Sequence, residues 1–444
     1  MAEKRGFVYI LQEYSIPLIA GVLAALAWAN INYDAYHAWV HMGLLDWLCE
    51  SADSPMCMEV LIDDHGHEKT ALVVAILGHH LTLHFLINDI FMLFFFGVAA
   101  KEITEAILPG GALNPPSKAI NPLLACAGGV VGPVAAYIAL THVFYGGTSE
   151  FDVVHGGWGI PTATDIALAW LVARVVFGAT HPAVNFLLLL AVADDAIGLV
   201  IIAVFYGDPN NPARPAFLAL VLAGMVVAWY LRRRGTKSWI PYVALGGVLS
   251  WVGLLEAHLH PALALVPIIP FLPGPRRDTG FFKTKDEVDE AIEAAEESGA
   301  TVAHADEEHS TLHRFEHDLK LFVDLGLFLF GFCNAGVAVS SVNPVTWIVL
   351  LALLIGKTAG VTIFSVAAKK MGFGYPTGMR ARHIVVAGMV AGIGLTVALF
   401  VAGEAFPQPE WQGPAKMGAL LSGVAAAFAW VMGRAMKVKE LEND

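Results

Sequence analysis

The chain has 444 residues, 57% hydrophobic and 15% charged, with a mean hydropathy of +0.63, which is too apolar for a soluble globular protein. Its formal net charge of −13 would read as an acidic-partner signal, yet two polar segments hold all of it. Residues 46–69 set seven acids against Lys69, residues 275–312 set eleven acids against Arg276, Arg277, Lys283 and Lys285, and no basic patch points to nucleic acid.

A membrane span needs about 20 consecutive apolar residues. Twelve such stretches are predicted, at 15–30, 82–107, 119–142, 158–176, 182–206, 213–231, 239–254, 257–273, 317–340, 345–369, 383–405 and 415–436. The expected fold is therefore an all-α integral membrane protein of about twelve transmembrane helices. Its membrane domain runs over 1–274 and 313–444, interrupted by an acidic insert at 275–312. With an even number of spans both termini share one side. Lys4, Arg5, Lys101, Lys118, Arg174, Arg232, Arg233, Arg234, Lys237, Lys369, Lys370, Arg380, Arg382, Arg434, Lys437 and Lys439 fall there, against Lys69, Arg214 and Lys416 opposite. That asymmetry makes both termini and the insert cytoplasmic.

In chain order, Lys4-Arg5 ahead of 15–29 and Ala25-Leu26-Ala27 imitate a signal peptide, but a retained first span is preferred. The external loop 42–80 is long and acidic. Its Asp63, Asp64, His65, His67 and Glu68 are metal-ligand types, read here as a solvated loop. Cys49 and Cys57 in the same loop are either a bridge or two unpaired thiols, and Cys126 and Cys333, inside spans, read as packing residues. Span four carries Gly157-Trp-Gly-Ile-Pro-Thr-Ala-Thr-Asp165, and span eleven carries Gly388, Gly392 and Gly394 before Thr396. Each is the middle member of a triplet, spans 3–5 and 10–12. Paired interruptions of this kind predict inverted-topology repeats with two discontinuous crossing helices. Within the insert, Asp286 to Ser298 patterns as an amphipathic helix with Val288, Ile292 and Ala295 on one face, read as a linker. His304, His309, His313 and His317 follow it and read as exposed.

Ionisable groups deep in a span cost about 2.5 to 3.5 kcal/mol on insertion scales. This chain keeps Asp194 and Asp195 in mid-span five, Asp165 past the break in span four, Lys357 midway along span ten and Asp89 early in span two. A single Asp–Lys pair would serve as a structural brace, but a brace does not need two adjacent acids. Carboxylate oxygens are hard ligands suited to alkali cations, and adjacent acids titrate as a coupled pair. Such oxygens take a cation or protons, not both. Lys357 can neutralise an empty carboxylate and give up its proton when a cation arrives. Half-helix ends carry partial charges that Asp165 and Lys357 are placed to balance.

These residues resemble the NhaA sodium/proton antiporter family. The matching motifs are Gly157 to Ala167, Ala193-Asp-Asp-Ala-Ile-Gly198 with the run to Tyr206, and Ile355-Gly-Lys-Thr-Ala-Gly360. Cys333-Asn-Ala-Gly-Val337, Gly392-Ile-Gly-Leu-Thr396 and Ile87-Asn-Asp89 also fit, in order, from about 15 to 406. The resemblance implies Asp195 as principal cation and proton ligand, with Na+ at Asp194 and Asp195. Asp194 would assist and pair with Lys357 in the ion-free state, Thr164 would contribute at the broken helix, and Asp165 would balance helix ends. It further implies electrogenic exchange of intracellular sodium, or lithium, for external protons, no cofactor, a bacterial inner-membrane location and a homodimer. Glu102, Arg314, Glu316 and His317 look like the family's cytoplasmic pH-response cluster. The chain departs from the family pattern at Thr104 and Glu105, at Lys320 and after His260.

Two other readings compete. A sodium-coupled organic-anion symporter on the same architecture would need polar or basic substrate groups beyond Lys357, and few are present. An intramembrane aspartyl protease needs acids on facing helices, whereas neighbours on one helix point about 100° apart.

Overall fold

The computed structural model describes residues 16–44, 57–64, 67–76, 79–108, 116–206, 214–274, 310–376 and 378–439, with the backbone alone at 57–80 and 116–119. Residues 275–309 of the acidic insert, with its expected helix 286–298, His304 and His309, lie outside these residues. So do Cys49 and His65, and with them any statement on the Cys49–Cys57 pair.

Helix α1 (Ile16–Ile31) leads to α2 (Tyr33–Val40), which Asn32 caps by accepting from the Ala35 amide at 3.0 Å. Residues between 57 and 80 then form an antiparallel sheet of β1 (Cys57–Asp64), β2 (His67–Ile76) and β3 (His79–His80), with Asp64 opposite His67 at the hairpin end. The membrane body continues as α3 (Leu83–Ile107), α4 (Pro116–Tyr145), α5 (Phe151–Thr162), α6 (Ile166–Phe177), α7 (Pro182–Phe205), α8 (Pro215–Arg233) and α9 (Tyr242–Glu256). After the insert come α10 (Thr311–Asn334), α11 (Pro344–Lys370), α12 (Ala381–Ala391), α13 (Thr396–Ala405) and α14 (Pro409–Ala435). Among the described residues six of these are long and apolar enough to cross a bilayer, and eight spans result if each bent pair is one. Proline opens α7, α11 and α14, where its missing amide leaves no helical bond unmade.

One predicted span takes another form. Residues 257–273 do not make a regular α-helix; from His260 to Leu272 they run as tight turns in which Leu263, Ala264, Val266, Ile268, Phe271 and Leu272 each bond the carbonyl three residues before. Pro261, Pro267, Pro270 and Pro273 each lack an amide donor, so the α-helical ladder cannot propagate through them. At α10 the helix starts at Thr311, capped by Ser310, and takes in His313 and His317.

The chain repeats a pattern of long helix, bent pair, long helix: α4, α5/α6, α7 and then α11, α12/α13, α14. The pairs bend by 54° and 52°. In α5 the last turns tighten to a three-residue helix at Gly156–Thr162 before an extended Ala163. Tyr206 staples that turn, its hydroxyl accepting from the Gly159 amide at 2.7 Å and donating to the Gly156 carbonyl at 2.9 Å. The second break is held at Gly394, whose amide donates to Ser422 Oγ at 3.1 Å. Helices α4 and α11 meet along glycines: a Cβ on Gly360 would sit 1.9 Å from the Gly128 carbonyl oxygen, and one on Gly132 2.3 Å from that of Gly356. Only hydrogen side chains permit this approach. In α11 a π-helical turn covers Ala352–Lys357, and in α3 another covers Leu86–Phe91. Such turns rotate the residues that follow them.

Candidate functional site at the helix crossing

The two bent pairs touch at their breaks. The Asp165 amide donates to the Ile393 carbonyl at 2.7 Å, which puts four half-helix ends in one place. Asp165, 2% exposed, serves the two N-terminal ends. Its Oδ1 accepts from the Leu168 amide of α6 at 2.9 Å and its Oδ2 from the Thr396 amide of α13 at 3.1 Å. Each end presents roughly half a positive charge, so one carboxylate balances the two. The C-terminal ends are met by donors. Lys357 Nζ donates to the Thr162 carbonyl of α5 at 2.6 Å, and Thr164 Oγ1 lies 2.9 Å from the Ala391 carbonyl of α12.

Asp194 and Asp195 come to this crossing from α7. Asp194 has no exposed surface; Lys357 Nζ at 2.9 Å donates to Oδ2 and Cys126 Sγ at 3.1 Å to Oδ1, while Thr164 Oγ1, 3.0 Å from Oδ2, has a single proton to share between that oxygen and the Ala391 carbonyl. Lys357 is likewise fully buried. Asp195, 5% exposed, has Oδ1 buried without a hydrogen-bond partner. Of the three carboxylates at the crossing, Asp165 is answered by helix ends and Asp194 by Lys357, and Asp195 makes no salt bridge among the described residues. A carboxylate out of water needs a proton or a cation. The geometry leaves that choice open.

Asp165→Ala removes both caps, each worth about 0.5–2 kcal/mol. The expected result is a lowered thermal midpoint in detergent, with Asp165→Asn falling between Ala and the parent because an amide oxygen still accepts. Equal melting of all three would show that the caps carry no stability.

Toward the end of α3, Lys101, 3% exposed, contacts three acids: Glu102 at 3.3 Å, Glu105 at 2.8 Å, and Glu316 of α10. Of the four residues expected there, the structure brings Glu102 and Glu316 together through Lys101. Arg314 and His317 are exposed on α10, His317 with Asp318 at 3.5 Å. Lys101 was missed as the hub; its spacing of four from Glu105 was the available signal. An open cavity of about 310 Å³ between α3 and α7 is lined by Glu102, Glu105, Asn185 and Val192. Cys126, expected to pack only, is a donor to Asp194. Asp89 stands elsewhere, with the His260–Glu404 pair (3.3 Å) as its electrostatic neighbours.

Residues 7–433 match the family model described as Na+/H+ antiporter 1. A relative from Desulfitobacterium hafniense (strain DSM 10664 / DCB-2), named Na(+)/H(+) antiporter NhaA, is 48% identical over 444 residues, covering 100% of this chain and 99% of its own. Proteins of the same name from Geobacter sulfurreducens (50% over 437 residues; 98% of this chain, 100% of the relative) and Geotalea uraniireducens (51% over 430 residues; 96% and 97%) are equally similar.

Proposed function

The chain belongs to the Na+/H+ antiporter 1 family, and from that premise we propose that it exports intracellular sodium, and lithium, in exchange for external protons, electrogenically. The observation that carries the reading is the unequal treatment of the acid pair: Asp194 is satisfied by Lys357, Thr164 and Cys126, while Asp195 Oδ1 is buried with no partner.

The cycle follows from charge. In the proton-loaded form Asp195 carries a proton and Lys357 is an ammonium paired with Asp194. A sodium ion entering between the two carboxylates displaces the proton of Asp195 and takes over the neutralisation of Asp194. Lys357 then no longer needs its charge and releases a second proton. Thr164 supplies a neutral oxygen. Two protons leave for each sodium bound, so the two loaded forms differ by one charge and exchange moves net charge across the membrane. Asp165 balances the two N-terminal helix ends throughout. Alternating access follows if only a loaded crossing changes sides.

The acidic cavity beside α7 is a cation approach from the cytoplasmic face, with the Lys101-centred cluster of Glu102, Glu105 and Glu316 at its edge acting in the response to pH, together with Arg314 and His317. We read the protein as a homodimer of the bacterial inner membrane with twelve spans, inverted repeats and both termini cytoplasmic. The segment 1–274, the insert 275–312 and the segment 313–444 are its parts.

The test is proton movement in proteoliposomes reported by a pH-sensitive dye. Addition of sodium or lithium to acid-loaded vesicles is expected to discharge the gradient with no organic solute present, at a rate that responds to an imposed membrane potential. Discharge only in the presence of an organic anion would replace this reading with a sodium-coupled symporter.

A further inference from the structure

Resting on the exchange site proposed above, we infer that Cys126 is a positioning residue of that site, its thiol holding the Asp194 carboxylate in the orientation that the incoming cation meets.

Cys126 is 1% exposed on α4 and its Sγ lies 3.1 Å from Asp194 Oδ1, while Lys357 and Thr164 hold Oδ2. The two oxygens of Asp194 are thereby distinguished. Oδ2 belongs to the lysine and to the half-helix break; Oδ1 faces α4. On that helix Gly129 offers only backbone, its Cβ position lying 3.4 Å from the same Oδ1. Cys126 is thus the donor that α4 supplies to the carboxylate among the described residues. One residue away, Asp195 Oδ1 is buried with no partner and is the second oxygen a cation meets.

A thiol suits this place because it donates to one lone pair of Oδ1 and leaves the other open to a cation. Removal of the donor leaves Oδ1 free to turn away from the cation, so sodium binds more weakly throughout the active range.

The experiment measures sodium dependence of exchange in proteoliposomes across pH for Cys126→Ala, Cys126→Val and Cys126→Ser, with Cys333→Ala and Asp195→Asn alongside. Ala and Val are expected to raise the sodium concentration for half-maximal exchange about fivefold throughout the active range, the size of one modest hydrogen bond, while the maximal rate changes far less. Ser keeps a donor of similar size and holds the parent profile, as does Cys333→Ala. Ala and Val matching the parent at every pH, or Ser behaving as they do, would overturn the inference. Where Ala fails to fold, the Val and Ser pair decides. An active Asp195→Asn would instead remove the exchange site itself, whereas an inactive Asp195→Asn beside parent-like Cys126 variants would remove only the role of the thiol.

Discussion

Asp195→Asn is expected to abolish sodium–proton exchange in proteoliposomes, with the protein still folded by its melting curve. Asparagine has nearly the shape of aspartate, and Oδ1 of Asp195 makes no hydrogen bond that the substitution would break. What is lost is chemistry: an amide neither takes up a proton in this range nor carries a charge for a cation. A sodium ion at the crossing would then meet one charged carboxylate instead of two, and would have to displace Lys357, 2.9 Å away, to gain it. Removing one partner of a buried ion pair costs about 3–5 kcal/mol, so the expected loss of rate is at least about a hundredfold. Asp194→Asn should differ in kind. It strands a fully buried ammonium, and breaking a buried pair costs about 3–5 kcal/mol, so that variant is expected to lose stability as well as transport. If Asp195→Asn retained full activity, the assignment of this carboxylate as the exchanging ligand would be wrong.

Gly360→Ala is expected to give the second large effect, on stability and transport together. Its new Cβ would sit 1.9 Å from the Gly128 carbonyl oxygen and 2.9 Å from Gly132 Cα. Those are backbone atoms, which no rotamer change moves aside, so α4 and α11 must separate. Overpacking of this kind costs about 1–3 kcal/mol and occasionally more. The seam is also the wall of the site: α11 carries Lys357 three residues before Gly360, and α4 carries Cys126 two residues before Gly128. A shift of about 1 Å between reacting groups can cost a hundredfold in rate. A lower thermal midpoint and at least a tenfold loss of exchange are the expected readings. Gly403→Ala in α13 is the control, since nothing lies within 4 Å of the added carbon, and a helix-interior alanine is preferred over glycine by roughly 0.5–1 kcal/mol. Equal melting of the two variants would show that the α4–α11 seam is looser than its glycines imply.

Much of the site was legible because membrane burial makes charge conspicuous. Asp165, Asp194, Asp195 and Lys357 stood out in apolar runs, and the glycines and proline at 157–161 and the glycines at 392–394 marked the breaks. Hydropathy was blind to the residues that look ordinary. Cys126 and Lys101 read as a packing residue and a topology marker, yet each is a donor to the acids around it, because helices far apart in sequence converge there. Residues 257–273 passed as a span on composition alone, and four prolines turned them into tight three-residue turns. Arg314 and His317 share a motif with Glu316, but their places on α10 leave them exposed while Glu316 faces Lys101.

By itself the sequence determined the membrane class, the two interrupted segments and which charges are costly enough to need a reason. It could do so because apolar length and buried charge are properties of one segment at a time. Only the tertiary structure decided which charge answers which. Asp165 meets two helix N-termini, Lys357 takes Asp194, and Asp195 is left over. That pairing depends on distances of about 3 Å between α4, α7, α11 and the two breaks, which are set by how the helices pack along their glycine seam, a relation between segments that no single segment contains.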